Sequence, residues 1–422
     1  MPEINQSLTY IDLFAGAGGL SEGFIKAGFT PIAHIEMDSD ACLTLKTRLA
    51  YHYLKVHNKI DIYNNYIGGS VTRDEFYKNV PDEILDSVIN SKLSSSNLPG
   101  IVKKIKEKSG TEEVEVIIGG PPCQAYSNIG NSVKKGARKK LTEKKPDRDS
   151  RYYLYRLYVK FLTNFNPKLF VFENVPGMVS ERNIKYYNKF KELCSLAGYE
   201  VEYVKLNASD FGVLQNRIRI FIFGWKKGVK FSVPKFEKTS NDYTIKDLFS
   251  DLPPVKPGEQ ILKGEYLIPP TEYQTEYGLR NGEPFFTQHI TRPHNDNDLA
   301  IYKLAINNWD KGHRLKYGEI PKDNRTQKNL ESFLDRFKVV NQYAKSHTVV
   351  AHIAKDGHYY IHPDKNQCRS ISVREAARIQ SFQDNYFFEG SRTSSFKQIG
   401  NAVPPILAKT IAEKISTFFN AN

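Results

Sequence analysis

Four short stretches of this chain carry residue types that can do chemistry, and each stands at one end of an apolar run. In Gly119-Gly-Pro-Pro-Cys-Gln-Ala-Tyr-Ser127, two prolines stiffen the backbone ahead of Cys123, and Gln124 and Ser127 bring polar groups beside the thiol. A cysteine in apolar surroundings is an inert small hydrophobe. One at a strand end, in a loop followed by basic residues, gains thiolate character and can act as a nucleophile. In Phe172-Glu-Asn-Val-Pro176, Glu173 closes the apolar run Leu169–Phe172, where desolvation raises a carboxyl towards useful acid chemistry. Gln215-Asn-Arg-Ile-Arg-Ile220 sets Arg217 and Arg219 two apart at the start of a strand, hence on one face, and one of them can bind a carbonyl oxygen. Asp12-Leu-Phe-Ala-Gly-Ala-Gly-Gly-Leu20 carries a Gly-rich turn, through Gly16, Gly18 and Gly19, whose backbone amides can approach a ligand closely. Glu36, at the end of the next apolar run, can accept from ribose hydroxyls.

These groups need a scaffold that brings strand ends together. The spacing predicts strands at Thr9–Phe14, Pro31–Glu36, Val114–Ile118, Leu169–Phe172, Tyr199–Leu206 and Ile218–Phe223. Helices are predicted at Leu20–Ala27, at Asp38–Leu49 with Asp38 or Ser39 as N-cap, and at Tyr152–Phe165. Alternating strands and helices imply an α/β fold, a doubly wound, mostly parallel sheet covered on both faces. Lys92–Lys108 reads as a partly helical, solvated insertion between the second and third sheet units. Around Leu248–Pro257 the pattern breaks, and the chain to about Gln367 is rich in Tyr, His, Asn, Lys and Pro, predicting a second, smaller domain of irregular β-rich structure. Helical periodicity returns at Val373–Ser381 and Pro404–Phe418. The expected division is 1–250, 251–395 and 396–422, with the last helix returning to the first domain.

A chain of 422 residues with a net charge of +13 is long enough for two cores and basic enough to favour a polyanionic partner such as nucleic acid. The four cysteines (Cys42, Cys123, Cys194, Cys368) form no CxxC pair, which argues against a disulfide framework or a metal site and for a reducing cytoplasm. MPEINQSLTY lacks the apolar core of a signal peptide, and no run is long enough to span a bilayer. No membrane partner is expected.

The chain resembles the DNA (cytosine-5) methyltransferases in DLFAGAGGL, GGPPCQAYS, DSRYYL, FENVPGM, QNRIRIFIFG, RSISVREAARIQSF and QIGNAVPP, in that family's order. The likeness covers nearly all of the sequence outside about 65–110 and 255–345. It implies a Rossmann-like domain that binds S-adenosyl-L-methionine and a target-recognition domain on double-stranded DNA. By the resemblance Cys123 attacks carbon 6 of a flipped-out cytosine, Glu173 holds or protonates the ring at N3, and Arg219 binds its exocyclic oxygen. Arg217 and Asn174 support Glu173 and the base. Phe14, Gly16, Gly18 and Leu20 surround the cofactor, Glu36 its ribose, Pro121 and Leu154 its adenine side, and Asn401 and Val403 its methionine part. The product is S-adenosyl-L-homocysteine.

Lys134–Arg151 holds nine Lys or Arg against three acidic residues and follows the nucleophile directly, so Lys134, Lys135, Arg138, Lys139 and Lys140, with Gln124 and Ser127, are expected on DNA as part of a closing lid. Leu214 and Gln383 stand where the family usually has Pro. The Asp that commonly reads adenine has no clear counterpart, its region holding Asp61 and Ser70. Arg292, Arg314, Arg325 and Gln288 are candidate base or phosphate contacts. The resemblance further implies a monomeric, cytoplasmic, nucleoid-associated bacterial enzyme, with a cognate restriction endonuclease as genetic partner. A tRNA cytosine-5 methyltransferase and a catalytically silent DNA-binding relative are the alternatives. An amino-group methyltransferase would need a polar-Pro-Pro-aromatic loop, and here Cys123 fills the slot after Pro-Pro.

Overall fold

The computed structural model describes residues 8–110, 114–122, 154–326 and 334–421. Strand β1 (Thr9–Leu13) runs through the Gly-rich turn into α1 (Gly19–Lys26). Then come β2 (Thr30–Glu36), α2 (Ser39–Val56), α3 (Ile60–Ile67), β3 (Val88–Asn90) and α4 (Leu98–Ser109). Asp38 caps α2 by accepting from the Ala41 N–H at 3.3 Å, the expected signal, but the helix runs on past Leu49 to Val56. The sheet continues with β4 (Val116–Gly119), α5 (Leu154–Phe165), β5 (Leu169–Asn174), α6 (Ile184–Leu196), β6 (Tyr199–Asn207), β7 (Gln215–Asn216) and β8 (Ile218–Lys226).

Seven strands form one sheet in the order β3-β2-β1-β4-β5-β8-β6. β8 alone runs against its neighbours β5 and β6. Period-two alternation sorts the strand side chains between two layers. Ile11, Leu13, Ile117, Phe170, Phe172 and Ile222 face α4, α5 and α6. Tyr10, Val116, Ile118, Val171, Phe221 and Phe223 face α1 and the C-terminal helix. The strand order reverses at β1, with β2 on one side and β4 on the other, so the carboxyl ends of β1 and β4 open a crevice.

One expectation about the edge of this sheet is corrected. Lys92–Lys108 is not a solvated insertion: Leu98, Ile101, Val102 and Ile105 of α4 are buried in the same cluster as Ile11 and Ile35. The true addition is α3 with two single-turn helices, Arg73–Tyr77 and Asp82–Asp86, whose Tyr63, Phe76 and Leu85 pack on Ala50, Tyr51 and Leu54 of α2. Strand β3 follows it, three residues long and therefore without a readable alternation.

Past Leu248 the chain forms β9 (Gln260–Gly264), β10 (Phe286–Ile290), α7 (Asp296–Asp310), β11 (Ser346–His347), α8 (Val373–Ile379), α9 (Arg392–Asn401) and α10 (Pro405–Ala421). The expected β-rich character is confined to the antiparallel β9–β10 pair and to β11, which pairs in parallel with β7. Turns, short 3-10 segments and α7 make up much of the rest. Buried ions hold this half together. Arg378 donates to Asp251 (3.0 Å) and Asp384 (2.9 Å), all three nearly solvent-free. Helix α10 packs across α1 so tightly that a Cβ on Gly23 would lie 2.4 Å from the backbone of Ala408.

The two departures at proline positions have physical accounts. Leu214 is fully buried among Ile245, Tyr273 and Val349, and its carbonyl takes the Ser346 N–H at 2.9 Å. Gln383 bridges the halves, donating to the Gly278 carbonyl at 2.6 Å and accepting from Arg48 at 3.1 Å, which a proline could not do.

Candidate active site

Parallel β4 and β5 end at the edge where antiparallel β8 begins, so three separate stretches converge there. β4 delivers Gly119, Gly120 and Pro121, β5 delivers Glu173 and Asn174, and β8 delivers Arg219. Arg219 Nε lies 3.0 Å from Glu173 Oε1, with the side chains only 11% and 16% exposed. Desolvation raises the Glu173 carboxyl above its ordinary value, against the opposing pull of Arg219 and Arg217. The result is a carboxyl that keeps its proton more readily than a surface Glu, beside a fixed guanidinium.

The loop before Cys123 is pressed onto this pair. A Cβ on Gly120 would sit 2.2 Å from the Glu173 carbonyl oxygen and 3.0 Å from its carboxylate, so only glycine permits the approach. Asn174, fully buried, donates through Nδ2 to the Pro121 carbonyl at 3.3 Å and accepts the Val175 N–H at 2.9 Å, tying the two strand ends together. Arg217 is anchored elsewhere, donating to the carbonyls of Val349 (2.6 Å) and Gly400 (3.2 Å). Only Arg219 of the two therefore forms the ion pair with Glu173, although Arg217 adds its charge nearby.

The second half of the site lies in the crevice between β1 and β4. The turn after β1 takes left-handed backbone at Phe14 (φ 61°), Gly16 (φ 56°) and Gly18 (φ 80°), which L side chains rarely adopt. Glu36 locks it: Oε2 accepts the Gly16 N–H, while Oε1 accepts those of Met37 and Asp38, each at 2.8 Å. Among the described residues no side chain caps α1, which leaves the first amides of that helix as donors for an anionic group. Asp12 beneath the turn is 1% exposed, and neither carboxyl oxygen has a hydrogen-bond partner among the described residues. Burial, with Glu36 nearby, holds that carboxyl well above its usual range. Free amides, an acceptor at Glu36 and an unpartnered polar group fit a small amphiphilic ligand.

Of the residues expected around such a ligand, Phe14 and Leu154 border the α5 layer, Pro121 closes β4, and Asn401 stands exposed at the end of α9. The side chains of Leu20 and Val403 go instead into the core with Phe24 and Leu407, which leaves backbone groups as what Leu20 offers the crevice. Asp61 and Ser70 are corrected. They lie on α3 and in the turn after it, exposed, and the segment that follows β3 beside Glu36 is Asn90-Ser91. There the Ser91 N–H donates to the Glu36 carbonyl at 2.7 Å, and Asn90 Nδ2 to the same oxygen at 3.3 Å. Met37, 59% exposed next to Glu36, is a residue that sequence reasoning did not single out, since a single Met after an acidic residue carries no pattern.

Cys123, Gln124, Ser127, Lys134, Lys135, Arg138, Lys139 and Lys140 lie outside the described residues. Among the candidate base contacts, Gln288 is committed to structure. It is 6% exposed, sits in left-handed backbone (φ 58°), and exchanges two hydrogen bonds with the main chain of Phe388. Arg325 holds the carbonyl of Ile320 at 2.7 Å, and Arg292 that of Ala354. Arg314 is exposed.

Comparison with known proteins gives concordant matches. The profile of the family described as C-5 cytosine-specific DNA methylase matches residues 8–73 and 92–417. The type II methyltransferase M.Bpa9945I of Bacillus paralicheniformis is 39% identical, with 98% of this chain and 99% of that protein covered. The type II methyltransferase M.DdeI of Desulfomicrobium norvegicum is 32% identical, over 98% and 89%. A crystal structure of a putative DNA modification methyltransferase encoded within an E. coli prophage superposes with a TM-score of 0.64 at 24% identity, covering 98% of this chain and all of that one, a likeness of fold. Among the described residues no helix is long and apolar enough to cross a membrane.

Proposed function

The chain belongs to the family of C-5 cytosine-specific DNA methylases and is a DNA (cytosine-5)-methyltransferase of the restriction-modification kind, and from that footing we propose the course of its reaction. The substrate is one cytosine within a specific sequence of double-stranded DNA, turned out of the helix because its carbon 6 is shielded in the stack. The methyl donor is S-adenosyl-L-methionine, which supplies an electrophilic methyl group and leaves as S-adenosyl-L-homocysteine. Phe14, Glu36, Pro121, Leu154, Asn401 and the backbone of Leu20 and Val403 would hold it, with Gly16 and Gly18 shaping the turn.

The observation that carries this reading is the desolvated Glu173–Arg219 pair at 3.0 Å, pressed against Gly120 three residues before Cys123. Cys123 as thiolate forms a bond to carbon 6. Glu173 gives its proton to N3 as the ring electrons move, and Arg219 holds the exocyclic oxygen. Carbon 5, made nucleophilic, takes the methyl group. Loss of the carbon 5 proton to a base then drives out the Cys123 sulfur as thiolate, and the N3 proton returns to the Glu173 carboxylate, which restores the neutral aromatic ring and the acid. Asn174 keeps the Cys123 loop and the Glu173 strand in register, and the charge of Arg217 opposes the desolvation that raises the Glu173 carboxyl.

Residues 251–395 act as the target-recognition segment, 396–422 returns to the catalytic sheet, and Arg314 is the exposed candidate for DNA contact. Lys134, Lys135, Arg138, Lys139 and Lys140, with Gln124 and Ser127, close over the DNA. The chain acts as a monomer in the cytoplasm, associated with the nucleoid. A cognate restriction endonuclease is its genetic partner. The test is covalent trapping on a duplex containing 5-fluorocytosine with the donor present, resolved on a denaturing gel. An adduct lost in Cys123→Ala is expected. No adduct with the unaltered chain, or one that survives the substitution, overturns the reading, and bisulfite sequencing of DNA from expressing cells identifies the site.

A further inference from the structure

The Gly-rich turn is shaped from outside itself, by the far end of the chain. The Tyr386 hydroxyl donates to the Ala17 carbonyl oxygen, and a Cβ on Gly18 would lie 3.1 Å from that hydroxyl. A Cβ on Gly19 would lie 2.3 Å from the Val403 carbonyl oxygen and 3.3 Å from the Phe382 ring. Tyr386 is 1% exposed, and burial, reinforced by Glu22, pushes its phenol well above the ordinary value, so it remains a proton donor at any working pH.

The main chain of Tyr386 is held from the opposite side. Arg374 Nη2 donates to the Tyr386 carbonyl at 3.1 Å and to Thr287 Oγ1 at 2.9 Å, and its Nε to the Thr287 carbonyl at 2.8 Å. Thr287 belongs to β10, within the recognition segment. The preceding residue is clamped too. Asn385 accepts from Arg48 of α2 at 2.8 Å and donates to Glu283, just before β10, at 2.6 Å. Thr287, Arg374 and Tyr386, all nearly solvent-free, thus form a contiguous path from β10 to the turn.

We propose that Tyr386 is a positioning residue that couples engagement of DNA by the recognition segment to the affinity of the Gly-rich turn for S-adenosyl-L-methionine. The proposal rests on the function set out above. DNA seated on the segment that contains β10 stiffens the path. The turn then loses less entropy when it closes on the donor, and by linkage the donor tightens DNA by the same factor.

The probe is S-adenosyl-L-homocysteine, unreactive and therefore usable with DNA present. Its dissociation constant is measured by calorimetry with and without a duplex carrying the site mapped by bisulfite sequencing. The unaltered chain should bind it more tightly when the duplex is bound. Tyr386→Phe keeps the ring and removes one neutral hydrogen bond, which should shrink that factor by roughly threefold to tenfold. Its affinity for the duplex alone should be unchanged, and the donor KM should rise more than kcat falls. Thr287→Val cuts the far end of the path and should shrink the factor with the affinity for the probe alone intact. A coupling factor unchanged in both variants, or equal losses of both ligands with a matching fall in Tm, overturns the proposal. An unaltered chain that binds both ligands independently overturns it alone; one that binds neither overturns the proposed function as well.

Discussion

Replacing Glu173 by Gln tests the acid role with the least change of shape. The amide keeps an oxygen for Arg219 Nε, now 3.0 Å away, but has no proton to give. Positioned general acids contribute about 10²–10⁴ in rate, so the single-turnover rate should fall by that factor, about 3–5 kcal/mol of barrier. Duplex affinity should hold within about threefold, under 1 kcal/mol, since the contact proposed for Glu173 is with the base and not the phosphates. Stability should change little, because two effects oppose. Arg219, 11% exposed, loses its counter-charge, while a desolvated carboxylate is removed. The pH dependence separates them. Desolvation raises the folded-state value above the unfolded one, so the contribution of Glu173 to stability is fully present below about pH 4.3 and is lost as pH rises through the folded value. The unaltered chain should therefore lose stability relative to Glu173→Gln on going up in pH, and its methylation rate should show a falling limb that the variant lacks. The assay is single-turnover transfer of a tritiated methyl group to a duplex, with mobility shifts for affinity and melts across the pH range. A variant rate within about threefold of the unaltered one, or a loss matched by lost DNA affinity, would refute the assignment.

Three further outcomes follow from buried groups. Asp12, 1% exposed with its carboxyl raised by burial and by Glu36, should tolerate Asp12→Asn; melts should show the unaltered chain falling behind the variant as pH rises from about 4. Asp384 behaves oppositely: burial alone would raise its carboxyl, but Arg378 and Arg374 hold it below the ordinary value. Its contribution is present above about pH 3.9 and lost as pH falls through the folded value, and Asp384→Asn should cost about 3–5 kcal/mol in urea unfolding at neutral pH. Gly23→Ala puts a Cβ 2.4 Å from the Ala408 backbone and forces α10 off α1. A loss of about 1–3 kcal/mol, read as a lower urea midpoint with unchanged slope, is expected.

Much of the sheet was legible because its strands are apolar runs ending in Gly, Pro or Glu, which mark both the element and the edge where it stops. Thr9–Leu13, Leu169–Asn174 and Ile218–Lys226 lie within a residue or three of their expected limits. β3 was not legible, since three residues offer no period, and α4 was misjudged because its Lys-rich outer face outweighs four buried apolar residues. The consequence reached the site. Without β3 the sequence points to the region of Ser70 for the neighbour of Glu36, where the structure has Asn90-Ser91.

Residue types and their order single out Glu173, Glu36, the glycines and the Arg217/Arg219 pair as candidates, because desolvation at a strand end and a Gly-rich turn after a strand are local properties. Which of two arginines meets the carboxyl was not local. Arg217 and Arg219 are equivalent in the alternation, and among the described residues Val349 and Gly400, 132 and 183 residues further on, offer carbonyls to one of them. Gln288 and Tyr386 make the same point. Their hydrogen bonds to Phe388 and Ala17 span 100 and 369 residues, and no pattern in the chain records them. Spacing along the sequence determined what each group could do; packing of distant segments decided which group was free to do it.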